Sequence, residues 1–296
     1  MKQLGRLLTA MVTPFNEEGE VDYEQAKRLA LALLNSGSEG LVVVGTTGES
    51  PTLVLAEELR LFGEVKSTIG ERGAVIAGTG SNSTAEALET TREAERIGVD
   101  ACLLVVPYYN KPTQEGLYQH FKTIAQSTGL PCILYNVPSR TITSLSADTV
   151  IRLSHIDNII GIKEASGNLG EIARIISNTD EDFLVWSGND SDTLPILVLG
   201  GYGVISVASH LVGKQIREMI DSFTSGKTDK AAAIHRHLLP LVDALFVVSN
   251  PIPIKYAVNY LGFNVGKPRL PLTEPDEKSA ALIKDTLRNY KIDLPI

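Results

Sequence analysis

Short apolar runs alternate with longer amphipathic segments along most of the chain. The short runs are rich in aliphatic and β-branched residues and often stop at glycine or proline, which is typical of strands buried on both faces. The longer segments repeat apolar residues at helical spacing and often begin at aspartate or threonine. The pattern predicts strands over residues 7–12, 41–44, 74–77, 101–106, 132–136, 159–163, 183–187 and 203–207. It predicts helices over 22–34, 56–68, 84–97, 114–127, 147–153, 169–176, 193–199 and 211–223.

This order of elements predicts the fold class. Regular alternation of strands and helices indicates a parallel sheet. Eight such units over about 225 residues have the count and size of a closed (β/α)8 TIM barrel. The competing doubly wound open sheet would need a glycine-rich dinucleotide fingerprint after an early strand, and the segment 78–83 lacks its third glycine.

The pattern changes after Gly226, where three helical segments follow with no strand between them. They cover residues 229–248, 252–261 and 276–290. We therefore expect a catalytic (β/α)8-barrel domain over residues 1–226. The C-terminal helical region over 227–296 is expected to pack on the barrel, because no low-complexity linker separates the two.

Composition and charge narrow the range of partners. The chain has 296 residues and a formal net charge of −8, with no basic run. An acidic chain of this kind does not suggest binding to nucleic acid or to an anionic membrane. The N-terminal apolar stretch is short and interrupted by Gly5 and Arg6, and no uncharged apolar run reaches about 18 residues. We expect neither a signal peptide nor a membrane span, and a cytoplasmic location.

Cysteine and histidine usage gives no indication of a metal site. Cys102 and Cys132 each lie inside an apolar predicted strand, so reduced, buried thiols are expected. The five histidines are scattered, and no Cys–His cluster has zinc spacing.

The sixth predicted strand ends in a lysine, within the run from Ile159 to Ser166. Burying an ammonium group is costly, and desolvation lowers a lysine's pKa to give a neutral amine that attacks carbonyls. Gly161 lies on the same face as Lys163 and would leave room beneath it if that face is the barrel interior. The alternative is a lysine that extends to water or pairs with Glu164.

Other polar residues fall at predicted strand ends, where the active sites of such barrels lie. Thr46 and Thr47 follow strand two and could bind a carboxylate, or simply form a tight turn. Tyr135 ends strand five and could transfer protons. Arg140, shortly after it, could bind a substrate carboxylate or lie in solvent. Taken together, these residues favour a Schiff-base enzyme acting on a keto acid.

At this point the sequence resembles a known family, the dihydrodipicolinate synthases of the pyruvate-dependent class I aldolase superfamily. The motifs that carry the resemblance are residues 9–15 (TAMVTPF), 45–50 (GTTGES), 135–141 (YNVPSRT), 161–165 (GIKEA) and 250–253 (NPIP). The resemblance implies condensation of pyruvate with L-aspartate 4-semialdehyde, in lysine and diaminopimelate biosynthesis, with no cofactor beyond an imine on Lys163. A related lyase or aldolase, of the N-acetylneuraminate or 2-keto-3-deoxy-sugar-acid type, is the alternative.

The resemblance also implies roles for individual residues. Tyr135 would donate and accept protons in a relay with Thr46 and with Tyr109 from a neighbouring subunit. Thr47 and Ile205 would bind pyruvate, and Arg140 would hold the carboxylate of the second substrate. A homotetramer, arranged as a dimer of dimers, is implied.

Members of the family often carry a feedback site for L-lysine at a subunit interface. The positions that correspond to it here are Ser50, Leu55, Glu58, Asn82, Glu86 and Tyr108. Leu55 and Glu58 stand where lysine-sensitive members have histidines, so we expect a degenerate site and weak or absent inhibition.

Overall fold

Eight parallel strands pair in sequence order and close into a barrel in the computed structural model, which describes residues 4–295. This confirms the predicted (β/α)8 fold. The strands are β1 (Leu7–Ala10), β2 (Gly40–Val43), β3 (Ala74–Gly78), β4 (Ala101–Val105), β5 (Cys132–Asn136), β6 (Ile159–Glu164), β7 (Leu184–Ser187) and β8 (Gly203–Ser206).

Helices follow the strands and cover the outside of the barrel. They are α1 (Tyr23–Asn35), α2 (Leu55–Ile69), α3 (Thr84–Ile97), α4 (Gln114–Ala125), α5 (Pro138–Thr141), α6 (Ala147–Ser154), α7 (Leu169–Ser177), α8 (Thr193–Val198) and α9 (Ser209–Thr224). Asp22 caps α1, as its position suggested, because its side chain accepts the amide of Gln25. The left-handed Gly98 ends α3 at the predicted residue.

The pattern missed one α-helix and misplaced several ends. The single turn α5 is too short to show a helical period, although Pro138 fits its first position. Helix α4 ends at Ala125 rather than at residue 127. Helix α9 begins at Ser209, before the predicted 211, and contains the non-helical residue Val212. Such local breaks depend on tertiary contacts, which an apolar period does not record.

The barrel interior is filled by side chains that alternate with outward-facing ones along each strand. The interior cluster includes Leu8, Ile76, Ile133, Trp186 and Ile205, all essentially inaccessible to solvent. The indole of Trp186 donates to the carbonyl of Gly5, 3.1 Å away, near the start of β1. The aromatic ring therefore fills the barrel toward the amino-terminal ends of the strands. The carboxyl-terminal end is left for polar residues.

Gly161 lies beneath Lys163 on β6, but it does not leave open space. A Cβ there would lie 2.1 Å from the carbonyl oxygen of Leu184 and 3.0 Å from Cζ3 of Trp186. The volume expected to accommodate the lysine is thus occupied by β7. The glycine allows β7 and its indole to pack closely against β6, and the expectation about its purpose was wrong.

Three more helices follow the barrel, namely α10 (Thr228–Leu245), α11 (Ile252–Tyr260) and α12 (Glu277–Leu287). Helix α10 packs on α9, and α12 packs on α10 and α11. The division of the chain at residue 226 stays a prediction. Among residues 4–295, no helix has the length and apolar character needed to cross a bilayer.

Candidate active site

Lys163 is buried at the carboxyl end of β6, with 6% of its surface exposed. In the register it lies between Tyr135 on β5 and Trp186 on β7. Its Nζ atom lies 4.2 Å from the centroid of the Tyr135 ring, and Tyr135 is itself 5% exposed. The amine is therefore held inside the barrel mouth and does not extend to bulk water.

The neighbouring carboxylate does not pair with this lysine. Glu164 points to the other face of β6, as alternation along a strand requires. It accepts hydrogen bonds from Nδ2 of Asn136, at 3.0 and 3.2 Å, and from the amide of Ser166 at 2.8 Å. Burial raises the pKa of the Glu164 carboxyl, against these hydrogen bonds, which lower it. The alternative in which Glu164 neutralises Lys163 was wrong.

A glycine allows close packing against the aliphatic part of the Lys163 side chain. Gly188 follows β7, and a Cβ at this position would lie 3.2 Å from Cε of Lys163 and 2.7 Å from Cβ of Ala165. Its amide donates to the carbonyl of Glu164 at 2.7 Å. The turn after β7 therefore packs directly on the lysine.

The turn after β2 carries the two threonines in a strained backbone. Val44 and Glu49, at its two ends, both have φ of 59°. Left-handed backbone is costly for residues other than glycine, and more so for a β-branched one. Thr47 is buried and its Oγ1 accepts a hydrogen bond from Nδ2 of Asn250 at 2.9 Å. Tertiary contacts therefore hold this turn in place.

Asn250 also connects the turn to the arginine. The guanidinium Nη2 of Arg140, on the exposed turn α5, donates to the carbonyl oxygen of Asn250 at 3.0 Å. Oδ1 of Asn250 is buried and has no hydrogen-bond partner among the described residues. Thr47 and Arg140, far apart in sequence, thus share one neighbour from the C-terminal region. The NPIP motif marked this neighbour, but the sequence suggested no role for it.

Asp190 organises the opposite side of the barrel mouth. Its buried carboxylate accepts from the hydroxyl of Ser206 and from the amides of Val207 and Ala208, at 2.9 and 3.1 Å. Burial raises the pKa of Asp190, against these hydrogen bonds and the nearby charge of Lys163. The hydrogen bonds of Asp190 fix the chain just after Ile205. The side chain of Ile205 is buried in the same interior cluster as Tyr135. Nothing in the sequence pattern separated this aspartate from an ordinary turn residue.

The remaining predicted relay residues are less enclosed. Thr46 is partly exposed at the same turn as Thr47. Tyr109 is 89% exposed and lies in a left-handed backbone conformation, with φ of 73°. Its own chain therefore leaves the ring of Tyr109 open to solvent.

A cavity of about 300 Å³ is lined by five of the six residues matched to the feedback site. Those five are Ser50, Leu55, Glu58, Glu86 and Tyr108. Asn82 is absent from the lining, and its carbonyl accepts a hydrogen bond from Asn110. Burial raises the pKa of Glu58 to about 7, with a smaller contribution from the charge of Glu57. Burial likewise raises the pKa of Tyr108.

Two other sequence expectations concern thiols and metals. Cys102 and Cys132 are both free and buried, as predicted. Burial raises the pKa of the Cys102 thiol to about 12, so this side chain stays protonated near neutral pH. Within residues 4–295 no group of three or more potential metal ligands comes together.

The closed barrel, with Lys163 buried beside Tyr135 at the carboxyl ends of β6 and β5, has the architecture of the (β/α)8-barrel enzymes. The sequence profile of the dihydrodipicolinate synthetase family matches residues 3–290. The chain belongs to that family.

Similar proteins extend over the whole chain. A 4-hydroxy-tetrahydrodipicolinate synthase of Dehalococcoides mccartyi is 74% identical over 296 residues, covering 100% of both chains. The crystal structure of the synthase of Cyanidioschyzon merolae with lysine bound superposes with a TM-score of 0.95, at 47% identity, covering 97% of this chain and 98% of that one. A monomeric dihydrodipicolinate synthase variant superposes at 0.94, with 43% identity, covering 97% and 96%.

Proposed function

We propose that the protein is a 4-hydroxy-tetrahydrodipicolinate synthase, which condenses pyruvate with L-aspartate 4-semialdehyde in lysine and diaminopimelate biosynthesis. The observation that carries the proposal is the buried Lys163, whose Nζ lies 4.2 Å from the Tyr135 ring at the barrel mouth. Identity of 74% to a curated synthase supports the same reaction.

The proposed chemistry runs through covalent intermediates on the lysine. Nζ of Lys163 attacks the keto carbon of pyruvate, and loss of water leaves an imine. Loss of a methyl proton gives an enamine, whose carbon attacks the aldehyde of the second substrate. The amino group of that substrate then attacks the imine carbon, closes the ring and releases Lys163. The imine takes up the electron pair left by the proton, so these steps call for no cofactor.

Tyr135 is proposed to transfer the protons. Its ring packs beside the amine, and a phenol near a reacting atom can both donate and accept a proton. In the proposed relay Thr46 and Tyr109 complete the path. Tyr109 is 89% exposed on its own chain, so its ring is free to enter the active site of a neighbouring subunit.

Two residues are proposed to bind substrate carboxylates. The backbone N–H of Thr47 would bind the carboxylate of pyruvate, with Ile205 lining the pocket. Arg140 would hold the carboxylate of the semialdehyde, and its hydrogen bond to Asn250 supports this, because the side chain of Asn250 also donates to Thr47.

The proposed assembly is a homotetramer, a dimer of dimers. Leu169 on α7 and Val198 on α8 are 40% and 65% exposed, which suits apolar residues covered by a second copy. Since a monomeric variant is known among the similar structures, the oligomeric state has to be measured directly.

A stable monomer is expected to be nearly inactive if Tyr109 acts in the neighbouring subunit. A protein that is monomeric by analytical ultracentrifugation and still active in a turnover assay would remove Tyr109 from the relay.

The imine can be trapped directly. Borohydride reduction in the presence of pyruvate, followed by peptide mapping, should modify Lys163. The chain supplies an internal control, because Lys255 is buried as well but lies outside the proposed pyruvate site. Modification of Lys255 instead, or an unmodified Lys163, would contradict the proposal. Turnover with added aspartate semialdehyde then separates a synthase from a related lyase.

A further inference from the structure

A second buried lysine lies behind the pyruvate-binding turn. Lys255, on α11, is 0% exposed, and its Nζ donates to Oε1 of Glu49 at 2.8 Å. The same ammonium donates to the carbonyls of Thr13 at 3.0 Å and Lys267 at 3.1 Å. All three of its protons are thus used, and none is left for a substrate.

The carboxylate of Glu49 is equally occupied. Its second oxygen accepts the backbone amide of Arg269 at 2.9 Å. The Glu49 side chain has no exposed surface, and that of Lys255 has 1%. Both oxygens of the carboxylate are therefore held by residues that follow the barrel in sequence.

A fully buried ion pair contributes little net stability to the fold. Desolvating two charges offsets most of their attraction, and apolar residues of the same volume often serve at least as well. The location of this pair suggests a different purpose. Glu49 closes the strained turn 44–49, whose other end is the left-handed Val44.

The turn has few internal restraints. Within it the amide of Glu49 donates to the carbonyl of Thr46 at 3.1 Å, and that of Ser50 donates to Gly45 at 3.4 Å. The shorter restraints come from outside. Thr13 donates to the carbonyl of Gly48 at 2.6 Å, and Asn250 donates to Thr47 at 2.9 Å. Lys255 connects to Thr13 as well as to Glu49, so it secures the turn by two routes.

We propose that the Glu49–Lys255 ion pair is a positioning element, which fixes the turn carrying Thr46 and Thr47 from helix α11. The inference rests on the proposed function, in which Thr47 binds the carboxylate of pyruvate. Neither residue touches substrate. The C-terminal helical region thereby sets the geometry of the pyruvate site, in addition to covering one side of the barrel.

The test uses the double variant Glu49→Gln/Lys255→Met in the full-length protein. Either single change would leave an unpaired buried charge and could prevent folding, whereas the double change keeps the volume and removes both charges. The matched control is Lys66→Met, which breaks the partly buried ion pair of Lys66 with Asp100, 2.8 Å long and unconnected to the turn.

We expect the folded double variant to need about tenfold more pyruvate for half-maximal rate, as for other small misplacements of binding groups. The kcat at saturating pyruvate should also fall, by up to about tenfold, because Thr46 of the proposed relay moves with the same turn. The KM for aspartate semialdehyde should change by less than about threefold. The control should keep the wild-type KM for pyruvate. A wild-type pyruvate KM in the folded double variant, or an equal rise in both variants, overturns the proposal.

A crystal structure of the double variant gives a readout that does not depend on activity. We expect the backbone at residues 44–49 to relax, with Glu49→Gln leaving the left-handed region. An unmoved turn overturns the positioning role. If wild-type protein with pyruvate shows no borohydride trapping, the proposed function fails, and the conformation of the turn alone then decides the role of the pair.

Discussion

Replacing Gly188 by alanine tests whether the lysine is positioned by close packing. The new Cβ would lie 2.7 Å from Cβ of Ala165, 3.1 Å from the carbonyl oxygen of Glu164 and 3.2 Å from Cε of Lys163. Carbon atoms prefer separations of about 3.5–4.0 Å, so about 0.8 Å is missing on one side and about 0.3 Å on the other. Backbone pairing between β6 and β7 resists a separation of the two strands that would make room for the new Cβ. The contact with Cβ of Ala165 can be relieved only by a small backbone shift, whereas the flexible lysine stem gives way to the contact with Cε.

The expected effect has two components. Overpacking of this kind costs about 1–3 kcal/mol of stability. A misplacement of about 1 Å can cost about 100-fold in rate, so a shift of a few tenths of an ångström should lower kcat about tenfold, or about 1.4 kcal/mol. Turnover, the rate of borohydride trapping with pyruvate and Tm should be measured together.

The matched control is Gly63→Ala. Gly63 lies within α2, where the nearest atom to a new Cβ is Cγ2 of Ile97 at 3.9 Å, an ordinary contact. This change should raise stability by up to about 1 kcal/mol and leave activity unchanged. If Gly188→Ala trapped pyruvate and turned over at wild-type rates, the packing argument for Lys163 would be refuted.

Four other outcomes are expected. Tyr135→Phe keeps the buried ring but removes the hydroxyl, so kcat should fall by about 100-fold or more with little change in Tm, and a near-wild-type kcat would remove Tyr135 from proton transfer. Because the pKa of folded Glu58, about 7, exceeds its usual 4.5, the free energy of unfolding should decrease as pH rises between these values. Glu58→Gln should accordingly raise Tm at about pH 8 and not at about pH 5, and an equal gain at both would show that burial of the charge is not the cause. The thiol of Cys102, whose pKa is about 12, should resist iodoacetamide until the protein is denatured, and rapid labelling of native protein would show it to be accessible. Calorimetric titration with L-lysine should show weak or no binding, since Leu55 lines the cavity in place of a polar group, and tight saturable heat would refute this.

Much of the fold followed from local patterns. Helix α3 was predicted residue for residue, because Ser83 caps its start and a left-handed Gly98 ends it. Strand β5 was likewise predicted at both ends, since its apolar run is bounded by Pro131 and Pro138. The four-residue α5 was missed, because a single turn carries no period.

The candidate site was predicted in part. Lys163 stood out because a charged residue ends an apolar, β-branched run, and Tyr135 because it ends the adjacent strand. The sequence carried no comparable signal for Asp190, which resembles any turn residue. The role of Lys255 was also hidden, because a lysine in a helix is ordinarily solvated, and only its packing against Glu49 makes it unusual.

The sequence by itself determined the number of strands, their order and the residue that carries the amine, because these depend on apolar periodicity and on the identity of residues at strand ends. Only the tertiary structure decided which distant residues meet at the barrel mouth. Asn250 lies more than a hundred residues from Arg140 and about two hundred from Thr47, yet hydrogen-bonds to both. Such contacts depend on where α11 packs against the closed barrel, and no local pattern records that position.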